Sequence, residues 1–190
     1  AIMGGSYGGY ATLVGMTFTP DRFAAGVDIV GPSNLVTLIE SFPAYWKPFL
    51  ERSWYSRVGN PAVPEDCERL LAQSPITRVE DIRSPLLIGQ GANDPRVVQN
   101  ESDQIVAAME KKDLPVTYVL FPDEGHGFAR PENRMAFYAV TEHFLGSVFD
   151  MPAEPIGDAF AGSSIRVPKG AGVVDGLKSA LEGFEPVIKQ

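Results

Sequence analysis

The run Gly4-Gly5-Ser6-Tyr7-Gly8-Gly9 constrains this chain more than any other segment. It lies between the apolar Ala1-Ile2-Met3 and the segment Tyr10-Ala11-Thr12-Leu13-Val14-Gly15-Met16, whose apolar positions recur with helical spacing. Glycines around a single serine permit backbone angles and close approaches that side chains forbid. The pattern predicts a strand that turns sharply into a helix at Ser6. Two phosphate-binding alternatives fail on spacing. A Walker loop needs Lys followed by Ser or Thr after its last glycine, but Gly9 is followed by Tyr10-Ala11. A dinucleotide loop needs G-x-G-x-x-G, which Gly4-x-Ser6-Tyr7-Gly8 lacks, although Asp28 falls near the distance where that motif places its acid.

Gly4-x-Ser6-x-Gly8 is also G-x-S-x-G, and a strand-to-helix turn is the setting that pattern requires for a nucleophile elbow. The serine backbone there is strained, so the residues two before and two after it are expected to be small. That geometry lifts Ser6 Oγ above the sheet and points the N–H of Tyr7 at the place where an oxyanion would form.

The rest of the chain supplies strands and helices in alternation. Ala24–Val30, Pro85–Gln90 and Val116–Phe121 have the unbroken apolar character of strands covered on both faces. Helical spacing is expected over Glu65–Gln73, Asn100–Lys112 and Glu132–Val148, the last with Phe137, Val140, Phe144 and Val148 on one stripe. Strands alternating with helices imply a mostly parallel sheet in an α/β fold. Residues 31 to 84 are too long for a simple crossover and are crowded with Phe42, Tyr45, Trp46, Phe49, Trp54 and Tyr55. After Phe149 the composition shifts to Gly, Pro, Ala and Ser. Residues 1–149 are therefore expected to form one α/β domain, and 150–190 a surface-draped or partly mobile tail, with weak helical character from Val174 to Phe184.

A serine hydroxyl needs a basic partner to act as a nucleophile, and the chain holds two histidines. His143 falls inside the last helix and reads as structural. His126, in Glu124-Gly125-His126-Gly127-Phe128, follows a strand and is flanked by glycines that give an imidazole clearance. The order Ser, acid, His along the chain selects Asp94, at the carboxyl end of the strand before Gly91. Asp81, Asp103, Asp113 and Asp123 are worse placed, preceding a strand, lying on a helix, starting a strand, or crowding His126 in its own loop. Three such sites at the carboxyl ends of parallel strands form the active edge of an α/β sheet.

Gly4-Gly5-Ser6-Tyr7-Gly8-Gly9-Tyr10, Asp94-Pro95-Arg96-Val97 and Glu124-Gly125-His126-Gly127-Phe128 together resemble the catalytic domain of the prolyl oligopeptidase family of serine peptidases, in particular its acylaminoacyl-peptidase and dipeptidyl-peptidase-like branches. The resemblance implies a three-layer α/β-hydrolase fold represented by the C-terminal part of its sheet. It implies Ser6 as nucleophile, Asp94 as orienting acid, His126 as general base, and hydrolysis of short peptides through an acyl-enzyme. It further implies that the family's early strands and β-propeller are absent, together with the second oxyanion donor, and the strand at Ala1 would then be an exposed edge prone to pairing with a second copy. A chain so truncated is expected to hydrolyse weakly or not at all.

The family segment that follows the strand ending at Val30 contributes to the pocket for the residue before the scissile bond. Tyr45, Trp46 and Phe49 are its nearest matches here, with Val30 and Val97 as an aliphatic wall. Arg96 and Arg130 are expected to hold a substrate carboxylate or to solvate the rim. A carboxylesterase would use the same triad, and a non-catalytic remnant acting in assembly would need none of it.

Composition excludes other classes. With 16 basic against 24 acidic residues and a net charge of −8, the chain lacks the cationic surface that nucleic acids or anionic membranes require. One cysteine, Cys67, and two histidines cannot build a Cys/His zinc cluster. No metal, cofactor, nucleic-acid or membrane partner is expected.

Overall fold

The computed structural model describes residues 1–189, and Gln190 lies outside the described residues. Its centre is a five-stranded sheet in the order β1 (Ile2–Gly5), β2 (Gly26–Ile29), β3 (Leu86–Gly91), β4 (Val116–Phe121) and β5 (Arg166–Lys169). The first four strands are parallel, and β5 runs antiparallel to β4. Helix α1 (Tyr7–Phe18) follows β1 directly, α5 (Asn100–Glu110) joins β3 to β4, and α6 (Pro131–Phe149) follows β4.

The strands read as apolar runs because both faces are covered. Side chains alternate across β3: Leu86 and Ile88 pack with Leu13 and Met16 of α1 and with Ile105, Val106 and Met109 of α5. Leu87 points the other way, to Phe137, Val140 and Phe144 of α6. Each large side chain buried in this way contributes about 1.5–3 kcal/mol of burial free energy. The expected α6 stripe thus lies on the core, with Val148 partly buried against it.

Between β2 and β3 the chain forms a small satellite core of its own. Helix α2 (Leu35–Glu40), a 3₁₀ turn at Ala44–Trp46, α3 (Lys47–Leu50), a π turn at Glu51–Tyr55 and α4 (Pro64–Ala72) pack Leu35, Leu38, Ile39, Phe42, Leu50 and Leu70 together with Val97. Pro64 in the first turn of α4, with Glu65 and Asp66 beside it, suits a helix start, where a lost N–H is harmless and acidic groups oppose the dipole. The start of the segment, just after β2, is tied to buried Glu101 of α5. Its carboxylate accepts N–H bonds from Ser33 (3.1 Å) and Asn34 (2.9 Å) and the hydroxyl proton of Thr37. Burial raises the Glu101 carboxyl above its ordinary value, opposed by those hydrogen bonds.

Residues 150–189 are not merely draped on the surface. They add β5 to the sheet and helix α7 (Leu177–Leu181), and they bury Ile156, Phe160, Ile165, Val174 and Leu177 in the same core as α6. The apolar residues of this segment are separated by glycine and proline turns, so they show no period by which sequence could reveal them. His143 fastens the segment, with its two ring nitrogens 3.0 and 2.7 Å from the carbonyl oxygens of Asp175 and Glu154. No helix among the described residues is long and apolar enough to cross a membrane.

Candidate active site

Ser6 occupies the turn between β1 and α1 with φ 58° and ψ −116°, a conformation that non-glycine residues rarely adopt. The strain is held from both sides. The N–H of Ser6 donates to the carbonyl of Ile29 (2.8 Å), and the Ser6 carbonyl accepts the N–H of Tyr10 (3.0 Å). Tyr7 opens the helix, where a first-turn N–H has no acceptor within the helix and is available to a ligand.

Asp94 lies in the loop after β3 and is buried. Its Oδ1 accepts the N–H groups of Arg96 (2.8 Å) and Val97 (3.0 Å), leaving Oδ2 for His126 Nδ1 at 2.7 Å. His126 Nε2 is 2.8 Å from Ser6 Oγ. The loops carrying acid and histidine are zipped together: the N–H groups of Ala92 and Asn93 donate to the carbonyls of Phe121 (3.0 Å) and Glu124 (2.9 Å), and the Asn93 side chain donates to the carbonyl of Pro122 (2.9 Å). Ser6, His126 and Asp94 therefore form one unbroken hydrogen-bonded chain across the carboxyl ends of three strands. Such a chain lets an imidazole accept the serine proton while the carboxylate fixes its tautomer.

Beside Ser6 opens a cavity of about 470 Å³. Tyr10, Leu35, Leu38, Phe42, Trp46, Trp54 and Val97 give it an apolar wall, and Arg57, Arg69 and Arg96 stand around it. Of the expected pocket residues, Trp46 and Val97 line this space, and three do not. Tyr45 and Phe49 are 64% and 68% exposed, because the short helical turns that carry them direct Trp46 and Trp54 inward instead. Val30 is buried, turning away at φ 50° with its N–H bonded to the Gly89 carbonyl (2.8 Å). Arg130 also departs from expectation. It neither faces the cavity nor solvates a rim, and its guanidinium binds Asp123 and the carbonyl oxygens of Gly162 and Val187.

Sequence reasoning missed Tyr10, Leu35, Leu38, Phe42 and Trp54 as cavity walls. Tyr10 sits in the elbow motif, and Phe42 and Trp54 belong to the aromatic cluster, so the signal was there without the path of the insertion. Asp28, which the sequence places only near the spacing of a dinucleotide-motif acid, has an unexpected setting. It lies in β2 beside Gly4, fully buried, and among the described residues neither carboxylate oxygen has a hydrogen-bonding partner. Burial pushes its carboxyl up to about 7.

The fold and the serine turn at its active edge define an α/β-hydrolase catalytic domain. The prolyl oligopeptidase family model matches residues 1–152, and the chain belongs to that family. It is 62% identical to dipeptidyl aminopeptidase BIII of Pseudoxanthomonas mexicana over all of this chain and 27% of that protein. It is 48% identical to dipeptidyl peptidase family member 6 of Caenorhabditis elegans over 89% of this chain and 23% of that one. Among solved structures, a puromycin-hydrolyzing peptidase of Mycobacterium tuberculosis superposes with a TM-score of 0.59 at 30% identity, over 72% of this chain and 21% of that chain. The chain spans about a quarter of the length of the curated relatives it matches.

Proposed function

We propose that this chain carries the acyl-transfer chemistry of a serine peptidase that acts on short peptides. Ser6 Oγ attacks the scissile carbonyl as His126 Nε2 takes its proton, and the Tyr7 N–H stabilises the oxyanion. His126 then returns the proton to the leaving amine, and the C–N bond breaks to give an ester on Ser6. Water, activated by the same imidazole, cleaves that ester. Asp94 orients the imidazole through Nδ1 and stabilises the imidazolium.

The observation that carries this reading is the chain of contacts from Ser6 Oγ to His126 (2.8 Å) and from His126 to Asp94 (2.7 Å). The aromatic cavity beside Ser6 supports a place for the side chain before the scissile bond, with apolar residues or proline preferred. The names of the two relatives support a narrower substrate, peptides that lose a dipeptide from their amino terminus. Residues 1–190 alone are expected to turn over weakly, since this reading assigns the oxyanion a single donor, the Tyr7 N–H, and loss of one donor typically costs about 10²- to 10³-fold in rate.

The test compares peptidyl amides with simple esters as substrates of the complete protein carrying this chain. Amide turnover that disappears in Ser6→Ala supports the reading. Ester hydrolysis without amide turnover would make the protein an esterase, and amide turnover that survives Ser6→Ala would remove Ser6 from the mechanism.

A further inference from the structure

The loop that carries His126 is closed on itself by Glu124. The backbone of Glu124 begins the loop, and its buried side chain accepts the N–H groups of Ala129 (2.8 Å) and Arg130 (2.9 Å) at the loop's far end. One buried side chain fixes that carboxylate from below: Asn133 of α6 donates through Nδ2 to Glu124 Oε1 (2.8 Å) and to Asp123 (3.2 Å). The opposite end of the same amide is held by residues far along the chain. Asn133 Oδ1 accepts the Ser163 hydroxyl (2.8 Å) and the Ser164 N–H (2.9 Å), both from fully buried residues.

Asp123 repeats the connection. It binds the Ser164 hydroxyl, the Arg130 guanidinium and the Lys189 N–H (2.9 Å), while Val187 donates to the Ser163 carbonyl (2.8 Å). Burial raises the Asp123 carboxyl, but these partners outweigh it and hold the group below the usual carboxylate range. Ser163, Ser164, Val187 and Lys189 all lie beyond residue 152, where the family match ends. An amide with both ends satisfied in a buried site has a single orientation, because rotating it would face donors with donors.

We propose that Asn133 is a positioning residue for the catalytic base, through which the segment around Ser163 and Ser164 sets the His126 loop. The proposal rests on the reading of His126 as general base. Its physical content is that the C-terminal segment acts on the rate of chemistry and not only on stability: the segment holds Asn133, Asn133 holds Glu124, and Glu124 fixes the loop whose imidazole must lie within hydrogen-bonding reach of both Ser6 and Asp94.

Two variants of the complete protein test it, Asn133→Ala and the milder Ser163→Ala, both at a temperature where circular dichroism shows them folded. Asn133→Ala is expected to lower kcat by about 10- to 100-fold with KM changed less than about threefold, since small misplacements of reacting groups cost that much. Amide hydrogen exchange at Ala129 and Arg130 should quicken in the same variant, with Ser163→Ala moving both readouts the same way by less. Unchanged exchange in both variants would overturn the proposal, as would faster exchange with kcat unaltered. Absence of peptide turnover in the wild-type protein would instead remove the peptidase reading, leaving the exchange measurement to judge whether the segment holds the loop.

Discussion

Gly4 and Gly8 meet backbone to backbone across the serine turn: a Cβ on Gly4 would lie 2.3 Å from the Gly8 carbonyl oxygen. Gly4→Ala must therefore push β1 away from α1 and is expected to destabilise the fold by on the order of 2–4 kcal/mol. Gly8 itself is different. Nothing lies within 4 Å of a Cβ placed there, so Gly8→Ala, in a helix, should be neutral or stabilising by about 0.5–1 kcal/mol. The motif's rule that the residue two after the serine must be small does not describe this turn, where the constraint falls on Gly9. A Cβ on Gly9 would stand 2.3 Å from Asp28 Oδ1 and 2.7 Å from the Gly31 Cα. Denaturant unfolding of the three alanine variants checks the order, and equal losses at Gly8 and Gly9 would contradict it.

Asp28 makes stability depend on pH. Its carboxyl stays protonated in the folded protein up to about pH 7 but ionises near 3.8 when unfolded. Because the folded state binds the extra proton, the contribution of Asp28 to stability is fully present below pH 3.8 and is lost as pH rises to about 7, a loss of about 4 kcal/mol from this group. Asp28→Asn removes this dependence. The difference in thermal midpoint between variant and wild type should move in favour of the variant between pH 4 and pH 7, and a constant difference would rule the group out.

In the cavity, Trp46→Ala and Trp54→Ala should raise KM for substrates with an apolar residue before the scissile bond by about tenfold or more, each removing aromatic wall worth about 1–3 kcal/mol. Tyr45→Ala and Phe49→Ala, on the exposed side of the same turns, should change KM less than about twofold. Steady-state kinetics on the four variants separates the two sides of the insertion.

Asp94→Asn keeps the size of the side chain, and its Oδ1 can still accept from Arg96 and Val97, but the amide presents a donor to His126 Nδ1. The imidazole is then held in the wrong tautomer, and kcat should fall by about 10⁴-fold, the loss measured for the same change in a serine protease triad. A loss below about tenfold would mean that Asp94 does not orient the base.

The elements that sequence revealed are those with a local cause. Ser6, Asp94 and His126 each sit where an apolar strand ends in a glycine-rich or proline-bearing loop, so strand ends and chemistry coincide in a few residues. The run Val116–Phe121 declares a doubly covered strand by itself. What stayed hidden depends on chain path. Tyr45 and Trp46 are adjacent in sequence and of one chemical kind, yet one faces solvent and the other the cavity. Ser163 and Asn133 are bonded across 30 residues with no shared pattern. The buried apolar residues after Phe149 are scattered among turns, which made a strand and part of the core look like a tail.

The central claim is that Ser6 is a nucleophile activated by His126, and covalent labelling of the complete protein with a fluorophosphonate, mapped by mass spectrometry, tests it most directly. The account predicts a single adduct on Ser6, absent in Ser6→Ala and formed at least about 10³-fold more slowly in His126→Ala. A folded, peptide-hydrolysing protein whose adduct lies on another serine, or whose Ser6 reacts at the same rate without His126, would contradict it.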